Sequence, residues 1–169
     1  MNVKIIHGNI VECDTDAIVN AANSLLLPGG GVSGAIFKAA GKRKLKKALR
    51  GQGPIPAGEA VITEGCDLPA KYIIHTVAPF YKGGNHNERS ILYMCYKNII
   101  DIARDYNIKT IAIPCLGTSH YRYPFKEAAE IALDVIMEEG KFLQEIQLIC
   151  FTYEDYKDYL SIYNDYIAV

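Results

Sequence analysis

Asn20-Ala-Ala-Asn23, then Pro28-Gly-Gly-Gly-Val-Ser-Gly34 and the apolar helical run Ala35 to Ala40, decide the fold of this chain. A β-branched segment, Ala17 to Asn20, ends here, a glycine loop turns, and a helix begins. Glycines at 29, 30 and 31 let the backbone approach a ligand closely and aim consecutive amide hydrogens into a shared hollow. The helix start adds partial positive charge, so the arrangement suits a phosphate. Three glycines in a row also make an ordinary flexible turn, and the loop needs support from the rest of the chain.

Working outward, a second strand-like run, Thr110 to Pro114, leads into a loop, Cys115 to Tyr123, before Pro124 opens another helix at the favoured first-turn position. Two loops at the carboxyl ends of neighbouring strands make a crevice, where ligands bind in such sheets. Further β-branched runs occur at Val3 to His7, Ala60 to Thr63, Tyr72 to Val77 and Ile146 to Phe151. Between them lie helical patterns, one with Ile91, Cys95, Ile99, Ile102 and Ala103 on a face, another with Ala128, Ala129, Ala132, Leu133 and Ile136. Strands alternating with helices imply an α/β fold with a largely parallel sheet covered on both sides. The tyrosine-rich end, Tyr153 to Tyr166, repeats Tyr156, Leu160, Tyr163 and Ile167 at helical spacing, which predicts a final amphipathic helix rather than a base-stacking surface.

Composition narrows the function. The 169 residues suit one core and one domain, 1–169, and no repeat or linker-like stretch divides them. Eighteen Lys and Arg against nineteen Asp and Glu leave no general footprint for nucleic acid or an anionic membrane, so an anion must be held locally. No segment approaches the roughly 20 apolar residues of a membrane span and the start has no leader pattern, so a cytoplasmic protein is expected. The five cysteines, Cys13, Cys66, Cys95, Cys115 and Cys150, are scattered without close pairs, and reduced thiols with no metal site are expected. Neither loop carries a Lys-Ser or Lys-Thr pair after a glycine run, nor a G-x-G-x-x-G at the first helix, which disfavours an ATPase or a dinucleotide oxidoreductase.

These segments resemble the macro domain family. The resemblance lies in Gly8-Asn-Ile10, Asp16-Ala-Ile-Val-Asn-Ala-Ala-Asn23, Gly29-Gly-Gly-Val-Ser-Gly-Ala-Ile36 and Ala39-Ala-Gly41. It continues in Tyr72-Ile-Ile-His-Thr-Val-Ala-Pro79, Ile113-Pro-Cys115, Tyr121 through Pro124, and Ala128-Ala-Glu130, and so covers nearly the whole chain. It implies a three-layer α/β/α sandwich with a mixed six- or seven-stranded sheet, ADP-ribose lying across its crest and no cofactor. By resemblance, Asn9 and the Ile10 backbone address the adenine. Asn9 stands where the family has an acid, and its amide oxygen still accepts a hydrogen bond. Phe151 occupies the position of an adenine-stacking aromatic, with a core placement equally open. Gly29, Gly30, Gly31, Val32 and Ser33 form the phosphate loop, opposite Gly117, Thr118, Ser119, His120, Tyr121 and Arg122. Asn23 matches the residue that contacts the distal ribose, with Asn20 supporting its loop. His75 reads as a core histidine with its hydrogen bonds satisfied, not a base.

Two departures bear on chemistry. Ser33 stands where hydrolytic members typically carry an Asp that orients water, and an unassisted hydroxyl is no base near neutral pH. Ser119-His-Tyr-Arg122 replaces the family's Gly-Ile-Tyr-Gly, and His120 and Arg122 can bind phosphate, point to solvent or narrow the distal pocket. The resemblance therefore implies a monomeric binder of ADP-ribose, free or as mono-ADP-ribosyl on protein. The alternative is a hydrolase of ADP-ribosyl or O-acetyl-ADP-ribose bonds working through ordered water and substrate groups, with Asn23 and Ser33 as the candidate catalytic residues. An RNA-end or nucleic-acid module is disfavoured by the charge balance.

Overall fold

Ala17-Ile-Val-Asn-Ala21 forms β2, and its residues face alternately: Ala17 and Val19 join one buried cluster, Ile18 the other. A strand with two apolar faces needs cover on both sides. The computed structural model describes all 169 residues and supplies that cover in three layers. The central sheet holds β1 (Asn2–His7), β2, β3 (Ala60–Glu64), β4 (Tyr72–Thr76), β5 (Thr110–Pro114) and β6 (Glu145–Cys150), in the order β1-β6-β5-β2-β4-β3. Every neighbouring pair is parallel except β3 with β4, so the sheet is mixed, with an antiparallel edge. β6 stops at Cys150 because its partner β1 stops at His7, leaving Phe151 beyond the last registered pair.

On one face α1 (Gly31–Ala40) and α2 (Lys42–Leu49) bury Ile36, Phe37, Leu45 and Leu49. On the other, α3 (Glu88–Asp105), α4 (Phe125–Glu139) and α5 (Tyr153–Ile167) cover the larger cluster. All five apolar residues expected on α4 are buried. α3 is rotated slightly from the expected face: Leu92, Tyr96 and Ile100 are buried, while Ile91 and Ile102 lie at the margin. In α5 the deeply buried residue is Tyr159, edge-on to Phe125, and Ile167 is exposed. No helix is long and apolar enough to cross a membrane.

β2 and β5 are registered only at Ala17 with Ile111 and Ile18 with Ala112, then part. The connections diverge there, β2 feeding α1 on one face and β5 feeding α4 on the other, which opens the crest of the sheet.

A polar ladder crosses the α1 and α2 side of this core. Asn20 Nδ2 donates to His75 Nδ1 at 3.1 Å, and His75 Nε2 lies 2.9 Å from Thr63 Oγ1, whose hydroxyl donates to the Glu64 carbonyl. An amide nitrogen can only donate, so Nδ1 accepts and the ring proton sits on Nε2. Burial pushes the His75 pKa down to about 3, and the ring stays neutral. The unfolded chain therefore binds a proton that the folded chain excludes: this contribution to stability is complete above pH 6.5 and is lost as pH falls toward 3. Between pH 6.5 and 5, the unfolding free energy from urea denaturation should fall with pH, by up to about 1.4 kcal/mol per unit. His75→Gln should be less stable at pH 7 by about 1–3 kcal/mol but lack this slope. An identical slope in the variant would assign it to other groups.

Candidate functional site

The crest is built from strand exits. At the β1 and β6 end, the Gly8 N–H donates to the Cys150 carbonyl at 3.0 Å, which holds Asn9 and Phe151 side by side. Phe151 is 73 % exposed and packs on no other aromatic ring, so the core placement left open for it is excluded. Asn9 caps the short 3₁₀ turn Ile10–Glu12, its Oδ1 accepting from Val11 N–H at 3.2 Å. That leaves its NH₂ and one lone pair free. The Ile10 side chain is buried, while its backbone N–H has no acceptor in the chain.

The glycine loop follows β2. Asn23 exchanges two hydrogen bonds with the Leu27 backbone, Nδ2 donating at 2.8 Å and Oδ1 accepting at 3.1 Å, so its amide both shapes the loop and keeps one donor and one lone pair. A Cβ at Gly29 would sit 3.5 Å from Asn23 Nδ2, and one at Gly34 would run into the Gly29 carbonyl oxygen. Gly34 therefore lets the first turn of α1 close against the loop. The backbone N–H groups of Gly30, Gly31, Val32 and Ser33 have no acceptor within the chain. They are the orphan donors of a helix start, aligned with its dipole. The Ser33 side chain is buried, the residue being 5 % exposed, and its hydroxyl has no partner. Asn20 does not reach the crest: its side chain is fully buried and engaged with His75.

The second loop leaves β5 in a tight course. Arg122 N–H donates to Ser119 carbonyl at 3.1 Å and Tyr123 N–H to Gly117 carbonyl at 2.8 Å. The amides of Gly117, Thr118, Ser119, His120 and Tyr121 have no acceptor in the chain, so the loop after β5, the sheet neighbour of β2, carries a second run of open donors. The Ser119, His120 and Arg122 side chains are exposed. At the root of the loop Cys115 Sγ lies 3.9 Å from Cys150 Sγ, and their hydrogen bond together with burial pushes the Cys115 thiol well up. A thiol held protonated is no nucleophile.

Sequence reading missed the wall beside this loop. The Phe80 and Tyr121 rings pack against each other at a tilt of 34° with centroids 3.9 Å apart, and Tyr81 N–H donates to the Tyr121 carbonyl at 2.8 Å, tying the β4 exit to the second loop. Glu88 anchors that exit. Burial raises its carboxyl pKa, but the N–H groups of Lys82 at 2.8 Å, Gly84 at 2.9 Å, His86 and Glu88 itself outweigh burial and hold it at about 2. Gly83-Gly84 shortly before an acid at a helix start was the available signal.

Arg122 sits at φ 62°, in the left-handed region that favours glycine. Arg122→Gly should raise stability by about 0.5–1 kcal/mol in urea denaturation. A loss of stability would mean that the arginine side chain holds the loop.

Comparison with known proteins accords with this architecture. The Macro domain family matches residues 19–132. A macro domain-containing protein of Caldanaerobacter subterraneus is 46% identical over 168 residues, covering 96% of each chain. A Pantoea vagans protein named O-acetyl-ADP-ribose deacetylase 1 is 42% identical over 168 residues, covering 96% of this chain and 98% of the relative. Among solved structures, the Oceanobacillus iheyensis macrodomain with ADP superposes with a TM-score of 0.90 at 34% identity, covering 97% of this chain and 90% of that one. The Trypanosoma brucei macrodomain in complex with ADP-ribose gives 0.84 at 34% identity, covering 94% and 67%. With its glycine loop at the head of α1, its mixed six-stranded sheet and relatives matched almost end to end, the chain belongs to the macro domain family.

Proposed function

We propose that the crest binds ADP-ribose, free or as a mono-ADP-ribosyl group on a protein. The observation that carries this reading is the pair of donor rows, Gly30 to Ser33 and Gly117 to Tyr121, at neighbouring strand exits and without acceptors of their own. A diphosphate satisfies both rows at once. The β1 and β6 end supports adenine recognition: Phe151 offers an open stacking face, and Asn9 with the Ile10 amide offers hydrogen bonds to the ring edge. Asn23, beside Gly29, keeps a donor and a lone pair for the distal ribose. In calorimetry ADP-ribose should bind at least about tenfold more tightly than AMP, a difference of about 1.4 kcal/mol. Equal affinities would show that the distal half of the crest is closed.

Gly30 gives a fold-neutral test of the donor rows. Its backbone is extended rather than left-handed, and a side chain there meets nothing within 4 Å. Gly30→Glu should keep stability within about 0.5 kcal/mol and abolish binding, because a carboxylate then occupies the hollow meant for phosphate. A folded variant with unchanged titration curves would place the site elsewhere.

A second reading, hydrolysis, is favoured by the Pantoea vagans relative's name. Ser33 weighs against rapid turnover, since its buried hydroxyl has no partner to draw off its proton. In this reading water is oriented by the loops and by the substrate's own groups. An acid at Ser33 suits the first turn of α1, so Ser33→Asp should fold. Its single-turnover rate on a mono-ADP-ribosylated carboxylate should exceed that of wild type by about 10² or more. Rapid turnover by wild type, slowed by Ser33→Asp, would overturn the view that this position limits catalysis.

A further inference from the structure

The near-zero net charge conceals an asymmetry. No Asp or Glu occurs between Asp16 and Glu59, while Lys38, Lys42, Arg43, Lys44, Lys46, Lys47 and Arg50 fall within that interval. All seven are exposed. Lys44 pairs with Asp67 at 2.6 Å, and the chain's remaining ion pairs lie elsewhere, on Lys4, Lys97 and Arg104. Arg43, Lys46, Lys47 and Arg50 recur at i, i+3, i+4 and i+7, so they form one continuous stripe on α2 and its C-cap.

Helix stability does not explain this composition. The first turn of α2 carries Lys42, Arg43 and Lys44 and no acid, against the helix dipole. Like charges three and four residues apart repel, and here no intervening carboxylate relieves them. The apolar side of α2, Leu45 and Leu49, is already buried in the core, so nothing remains to insert into a lipid layer or to dock in a partner's apolar groove. Residues 38–59 contain no Phe, Tyr or Trp, which removes the stacking platforms that single-stranded bases use. A dense cationic stripe with neither apolar nor aromatic elements matches a regularly spaced array of phosphates read through charge alone.

We propose that the exposed face of α2 is a docking surface for the phosphate backbone of a nucleic-acid duplex, independent of sequence and separate from the crest. The overall charge of −1 confines the contact to this face, since the rest of the surface is net acidic and repels a polyanion.

The test is fluorescence anisotropy of a labelled DNA duplex of about 20 base pairs with the full chain at about 50 mM salt. With four stripe residues engaged, log affinity should fall against log salt with a slope of about −3 to −4. Arg43→Glu, Lys46→Glu and Lys47→Glu together should weaken duplex binding more than tenfold and leave calorimetric ADP-ribose binding unchanged. The acids make opposite-charge pairs of 42/46, 44/47, 46/50 and 47/50, while 43/46 and 43/47 stay alike in sign, and circular dichroism checks that the variant folds. No duplex binding at low salt, or binding equal in the triple variant, would overturn the proposal. Competition by polyglutamate as effective as that by the duplex would also overturn it and assign the face to acidic proteins.

Discussion

Backbone N–H groups that leave a parallel sheet have no ladder partner, and those that begin a helix have none within the helix. The rest of this structure depends on where such donors end up. At the β2 and β5 exits the chain leaves two rows of them without acceptors, and the surrounding residues maintain that state. Gly34 lets α1 close against Gly29, Asn23 ties its loop to Leu27, and turns at Ser119 and Gly117 fix the second loop while its amides stay open. The donors have been aligned by the fold before any ligand arrives, which lowers the ordering cost of binding an anion.

The contrast with the β4 exit clarifies this. There the orphan amides of Lys82, Gly84 and His86 are satisfied from within, by the Glu88 carboxylate. One strand exit thus carries its own anion and is closed, while at two neighbouring exits the amides have no acceptor in the chain. Phe80 on Tyr121, with the Tyr81 N–H bonded to the Tyr121 carbonyl, joins the closed exit to the open one.

Much of this was legible in the sequence, for identifiable reasons. The six strands and four of the five helices followed from β-branched runs and apolar spacing, since both reflect burial directly, whereas α2, with only Leu45 and Leu49 buried, shows too short an apolar pattern to be read. The glycine loop was legible because Gly31, in the left-handed region, and Gly34, where a Cβ would strike the Gly29 carbonyl oxygen, permit a backbone course that other residues block. The placement of Asn20 was less so. A polar residue at a strand end reads as a loop support, but its register with His75 turns it inward, and only strand pairing reveals that. Phe151 left two options because exposure depends on where β1 ends, five strands away in the chain. The basic face of α2 was hidden by summation, because a balanced total says nothing about distribution between layers.

On the proposed function, the open amides of the two loops are the groups that grip the ligand. Amide-resolved NMR during titration with ADP-ribose tests it most directly. The largest shifts should fall on Gly30 to Ser33, Gly117 to Tyr121 and Ile10, with these amides gaining protection from hydrogen exchange on saturation. Shifts confined to other parts of the chain, or saturation that leaves both rows unperturbed, would contradict it.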